Sequence, residues 1–240
     1  MSLLAIFIGV SISAGVKAQT TGDHYIYLPM VIRMSNEPVP FGAVRTGEGT
    51  YYWEANGDGN CMFGPSPDDL MVAAMNHVDY NNAALCGAYA NVTGPKGSVV
   101  VRIVDQCPEC PAGDIDLSPE AFVKIADLYL GRVPITWQLV SPVLEGPIVY
   151  HFKADSHVYW ASVQIRNHRN PIMRFEYLNS SGLFQEVTRA SYNQYEMNGV
   201  WFEPFTFRVT DIFGNVIVDN GIPLSPGWDV ASQSQFPPPP

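Results

Sequence analysis

Residues 104–119 read VDQCPECPAGDIDLSP. Before them stands a β-branched run, 99–104. After them comes Ser118-Pro119-Glu120-Ala121-Phe122, a capped helix start whose Phe122, Ile125 and Ala126 make one apolar stripe. The stretch thus joins a strand to a helix through a turn carrying two cysteines and the carboxylates Asp105 and Asp116. Working outward, 49–53, 89–93 and 135–140 are also β-branched or aromatic and read as strands. A second helix is expected from Ser66-Pro67-Asp68-Asp69-Leu70, with Ser66 as N-cap, Pro67 at the first helical position and Asp69 closing a capping box. Mixed strands and helices over residues 42–141 describe a small, decorated β-barrel. From 142 to 232 the pattern changes to strands alone, at 148–152, 159–166, 173–177, 184–187, 206–210 and 216–219. Asn- and Gly-bearing turns separate them, which is the signature of a β-sandwich.

A chain of 240 residues has room for two such domains. Its 13 basic and 23 acidic residues give a net charge of −10. Phosphate backbones and anionic membranes are held by clustered Lys and Arg, so neither nucleic acid nor a membrane is an expected partner. The same charge opposes acidic polysaccharides and leaves neutral ones unaffected. Met1 to Ala18 form an apolar run closed by Val16-Lys17-Ala18, the pattern of a secretory signal peptide cut after Ala18. Residues 19–41 read as a tether, and the proline-rich tail 233–240 as disordered or polyproline II. Four cysteines in an exported chain argue for disulfides, and four permit three connectivities. Cys61 with Cys86 and Cys107 with Cys110 is the preferred pairing, while Cys107-Pro108-Glu109-Cys110 also has zinc-ligand spacing. The five histidines show no metal spacing, and no phosphate loop or nucleophile elbow appears, so no metal and no cofactor are expected.

Several ordered motifs carry a family resemblance. Residues 104–119, with Gly49-Thr50-Tyr51-Tyr52, Gly94-Pro95-Lys96-Gly97 and Val133-Pro134-Ile135-Thr136-Trp137, resemble the barrel of expansins, bacterial expansin-like proteins and their fungal relatives. Residues 159–168 and Thr210-Asp211-Ile212-Phe213-Gly214 resemble the second domain of the same family. The match spans roughly 42–236. It implies a mainly β protein: a six-stranded double-psi β-barrel with short helices, followed by an immunoglobulin-like β-sandwich that binds carbohydrate. It also implies a secreted monomer that binds cellulose, xyloglucan or related neutral glucans and loosens plant-type walls without hydrolysis.

By the same motifs, the barrel's functional residues fall on Asp116, Asp105 and Thr50, and the sandwich's glucan-binding residues on Tyr159, Trp160, Tyr192 and Lys153. Cys107 stands where many bacterial relatives carry an aromatic. Stacking on exposed rings is an efficient way to hold the flat CH faces of sugars. Strict strand alternation would turn Tyr159 to the same side as Ala161, Val163 and Ile165, which favours Trp160 as the exposed ring. Trp137, Trp201 and Trp228 read as core anchors. Two other readings compete: an endoglucanase or lytic transglycosylase on the same barrel, and an adhesion module without loosening activity. Inverting hydrolysis needs an acid and a base about 6.5–9.5 Å apart. Asp116 matches the acid, and Glu48 and Glu54 would share a strand face with Thr50 and Tyr52 as substitute bases.

Overall fold

The computed structural model describes residues 37–199 and 203–240, and the paired strands β1 (Ala14–Ala18) and β2 (Ile26–Met30). The rest of the expected leader, most of the tether and Trp201 lie outside the described residues. Residues 1–37 and 38–240 are separate units. Among the described residues no helix is long and apolar enough to cross a membrane.

Six strands close the barrel: β3 (Val39–Tyr51), β4 (Val72–Asn76), β5 (Tyr89–Gly94), β6 (Gly97–Cys107), β7 (Ile115–Leu117) and β8 (Val133–Ser141), in the order β3-β7-β4-β6-β5-β8. Two of the pairings, β3 with β7 and β4 with β6, are parallel. Helix α1 (His77–Tyr80) follows β4. Helix α2 (Pro119–Ile125) starts at Ser118, whose Oγ accepts the Ala121 N–H at 3.0 Å, and seats Phe122 and Ile125 in the barrel core. Trp137 is a core anchor, with Nε1 donating to the Gly113 carbonyl at 2.8 Å.

The helix expected at Ser66 does not form. Ser66 and Asp69 close a turn instead, with Asp69 N–H donating to the Ser66 carbonyl at 2.9 Å, and the chain enters β4. Every residue of β4 is buried, and a short apolar run of that kind has no period to distinguish strand from helix. β3 also differs: Val39, Pro40 and Phe41, assigned to the tether, pair with Ser141, Val140 and Leu139, so the barrel takes them in.

The sandwich has two four-stranded sheets. One orders β13 (Tyr195–Asn198), β10 (Trp160–Arg166), β9 (Val149–Phe152) and β16 (Asp229–Ala231); the other orders β12 (Phe184–Val187), β11 (Ile172–Leu178), β14 (Phe205–Asp211) and β15 (Val216–Ile222). Tyr150, Phe152, Phe175 and Phe207 fill the space between them. β7, β13 and β16, at three or four residues each, were too short to carry a sequence signal of their own. The proline-rich tail is not free. Phe236 is 2% exposed within this core, the Ser234 carbonyl accepts the Ile148 N–H at 3.0 Å, and the Pro237 carbonyl accepts from Asn170 Nδ2 at 2.9 Å. A buried aromatic anchors the segment, overriding the proline preference for an extended solvated chain.

Barrel and sandwich share a hydrogen-bonded seam. Gln164 Nε2 donates to the Cys61 carbonyl at 2.7 Å, Tyr80 Oη to the Ser191 carbonyl at 3.1 Å and Arg189 Nη1 to the Ala83 carbonyl at 2.7 Å. Disulfides join Cys61 to Cys86 and Cys107 to Cys110, and the first pins the loop that Gln164 grips. His168 is fully enclosed at this seam, and burial pushes its pKa down to about 4, so it is neutral at ordinary pH.

Two glycines let the barrel close. A methyl on Gly47 would run into the Gly113 carbonyl, and one on Gly113, whose φ is +91°, would run into the Thr46 carbonyl. Backbone rather than flexible side chain stands in the way, so Gly47→Ala is expected to cost about 3 kcal/mol, read as a fall in thermal midpoint on the order of 6–12 °C. Phe236→Ala should destabilise by about 3–5 kcal/mol, whereas a free tail would leave the melting curve unchanged.

Candidate functional site

Across β3, β7, β4 and β6 the registers pair Thr50 with Asp116, Asp116 with Ala74, and Ala74 with Asp105. The three barrel residues singled out from sequence therefore lie in one row perpendicular to the strands, with alanine between the carboxylates. Thr50 Oγ1 donates to Asp116 Oδ1 at 2.5 Å. Burial raises the Asp116 pKa, the Thr50 hydrogen bond opposes that rise, and the nearby Glu109 and Asp105 charges add to it while Arg132 works against it.

Asp105 is held differently. By strict alternation it would follow Val101 and Ile103 into the core, but the β4–β6 register skips Val104, pairing Ala73 with Ile103 and Ala74 with Asp105. A bulge of this kind re-aims the side chain beyond it. Asp105 Oδ1 then accepts the N–H groups of Asn60 at 2.6 Å and Gln106 at 2.7 Å. Gly59 is required beside it, because a methyl there would collide with the Asp105 side chain.

Sequence reasoning passed over Tyr52 as a functional residue. Its hydroxyl is buried without a hydrogen-bond partner among the described residues, and burial, followed by the Asp105 and Asp116 charges, pushes its pKa well up. The alternation Thr50, Tyr52 was the available signal. Of the two substitute bases, Glu48 pairs with Arg132 at 2.5 Å. Glu54 does not share the face, because β3 ends at Tyr51 and Glu54 stands in the following turn.

On the sandwich, Ala161, Val163 and Ile165 enter the core, so Trp160, Ser162, Gln164 and Arg166 face outward. Gln164 and Arg166 meet the barrel loop: Arg166 lies 6.0 Å from the Phe63 ring centroid. Trp160 is left open, half-buried, with Lys153 Nζ 5.4 Å from its ring centroid. Tyr159 escapes alternation because β10 begins only at Trp160. It sits in the preceding turn, 60% exposed, its ring 6.0 Å from His157. Tyr192 donates its hydroxyl to Glu196, which lies opposite Ser162 in the β10–β13 register, so the Tyr192 hydroxyl reaches the same face two residues from Trp160. Trp228, expected in the core, is instead 75% exposed at the turn before β16, where a tight Ser225-to-Trp228 turn turns it outward. Among the described residues no group of three or more His, Cys, Asp or Glu is placed to hold a metal ion.

The row and the rings meet at one residue. Asn60 caps Asp105 with its backbone N–H, while its side-chain Nδ2 donates to the Ser191 carbonyl at 2.9 Å, immediately before Tyr192.

The family described as lytic transglycolase, a double-psi barrel family, matches residues 71–137. The chain is 34% identical to Expansin-YoaJ of Bacillus subtilis over 201 residues, covering 80% of this chain and 86% of that protein. It is 32% identical to expansin-like protein 2 of Dictyostelium discoideum over 69% of this chain and 44% of that one. The crystal structure of an expansin from Clavibacter michiganensis superposes with a TM-score of 0.77 at 33% identity, covering 82% of this chain and 99% of that one. A point mutant of the same protein, solved in complex with cellohexaose, gives the same figures. With a sandwich joined to a double-psi barrel and relatives of this closeness along most of its length, the chain belongs to the expansin family.

Proposed function

We propose that this is an exported wall protein that binds cellulose and matrix glucans such as xyloglucan and loosens plant-type walls without cutting them. The observation that carries this reading is the Asn60 link, which ties Asp105 of the barrel's polar row to the turn that bears Tyr192; in this reading a long chain spans both. The cellohexaose held by the Clavibacter expansin is a ligand of that shape and charge. The apolar leader and two disulfides favour export to an oxidising compartment.

In this reading Trp160, Tyr159 and Tyr192 stack on sugar CH faces, and Lys153 donates to hydroxyls at the platform edge. Asp116, Thr50 and Asp105 line the groove, where their hydrogen bonds to glucan hydroxyls compete with those between neighbouring glucan chains. Scission would need a second carboxylate free to activate water. Asp105 already accepts two backbone N–H groups on Oδ1, and Glu48 is engaged by Arg132. The lytic transglycolase match over the barrel is what favours the enzymatic alternative, and release of soluble sugar with time would establish it.

Asp116→Asn should abolish creep or paper weakening while binding to cellulose persists, with no reducing sugar released by either protein. The same substitution tests the electrostatics. A carboxyl whose folded pKa is raised binds its proton more tightly when folded, so it withdraws stability as pH rises above the usual carboxylate range. Asp116→Asn should therefore raise the thermal midpoint at neutral pH, and the gain should vanish in acid; a lower midpoint at neutral pH would contradict it. Trp160→Ala should weaken cellulose binding roughly two- to tenfold, measured by depletion from solution, with the melting curve unchanged.

A further inference from the structure

Beside the Asn60 link a cleft of about 420 Å³ opens between α1, the end of β6 and the Ser191 turn, its polar lining His77, Asn81, Asn82, Gln106 and Ser191 interrupted by Val78 and the buried Tyr80. Asn60 forms the partition: its backbone holds Asp105 on one side, and its side chain hydrogen-bonds Tyr80 Oη and the Ser191 carbonyl, each at 2.9 Å, on the other. Two of its lining residues, Gln106 and Ser191, are the chain neighbours of Asp105 and Tyr192, so a glucan laid along the row and the rings would run beside this cleft. Past Asn81 and Asn82 the cleft continues into a groove of about 600 Å³ along the barrel–sandwich seam, reaching Leu85, Leu139 and Met173.

The chemistry of the walls is specific in kind. No Asp, Glu, Lys or Arg lines the smaller cleft. Gln106 Nε2 and His77 Nδ1 lie 2.7 Å apart, and both residues line the cleft. Asn81, Asn82 and Ala83 all have positive φ, of 45°, 55° and 67°. Asparagine tolerates this conformation and alanine does not favour it. The Arg189 guanidinium holds the Ala83 carbonyl at 2.7 Å, which keeps the turn in place. Its consequence is that the Asn81 and Asn82 side chains stand exposed at the cleft, with no hydrogen bond to any described residue. Uncharged amides and a volume within the roughly 300–1,000 Å³ range of small-ligand clefts suit a neutral sugar.

We infer that this cleft takes a neutral sugar branch carried on the glucan backbone, so that the protein prefers branched matrix glucan to plain cellulose chains. The inference rests on the glucan-binding reading above and adds to it a residue set that selects among glucans. Gln106 and Asn82 are the selecting side chains: each donates to, or accepts from, hydroxyls of the branch.

The test is calorimetric titration of the full chain with cellohexaose and with a xylosylated gluco-oligosaccharide of the same backbone length. The wild type should bind the branched ligand roughly three- to tenfold more tightly, the effect of one or two added hydrogen bonds. Asn82→Gly, which keeps the positive φ, and Gln106→Ala should each reduce that preference and leave cellohexaose affinity unchanged. Equal affinity of the wild type for the two ligands, or variants that weaken both alike, would overturn the branch cleft while leaving glucan binding intact. Failure to bind either ligand would remove the glucan reading and this one together. Should Asn82→Gly melt early, Gln106→Ala decides the matter.

Discussion

Val104 is squeezed out of register between β4 and β6, so Ala73 faces Ile103 but Ala74 faces Asp105. That single skipped residue turns a carboxylate that alternation would bury toward the Asn60 backbone, where two N–H groups receive it. The polar row depends on it, and so does the path to the sandwich, because Asn60 is also the residue that reaches Ser191.

The sandwich contributes by dividing one sheet face between two uses. Outward residues of β10 alternate along the strand, and those at its far end, Gln164 and Arg166, are consumed in docking the Cys61–Phe63 loop of the barrel. Trp160 at the near end stays open, with Lys153 beside it. Docking and the open ring thus draw on the same period-two pattern. Rotation of the barrel about this seam would break the hydrogen bonds of Gln164 and Arg189 to it and disturb the enclosed neutral His168.

Groups at the row carry costs that a purely structural site would avoid. Asp116 is half-buried with one short hydrogen bond, and the Tyr52 hydroxyl is enclosed without any. A buried hydroxyl lacking a partner is destabilising by about 1–3 kcal/mol. Burial, and after it the Asp105 and Asp116 charges, raise the Tyr52 pKa.

Sequence alone determined the two-domain division into barrel and sandwich, most of the long strands and the capped helix at Ser118. It also yielded the family, because local propensity, turn chemistry and ordered motifs are properties of contiguous residues, and it picked out Thr50, Asp105 and Asp116, which strand register brings into one row. It misread Ser66–Leu70 as a helix start and the tail as free, since the strand that follows is buried on both faces and shows no period, and one buried Phe236 is invisible beside four prolines. Only the folded chain decided which way Asp105 points, that Tyr159 leaves alternation while Trp228 faces solvent, and that Asn60 joins the row to the rings. Those outcomes depend on a bulge, a strand end and a contact between residues 131 positions apart. Register and packing across the chain set them, and no window of sequence contains both partners.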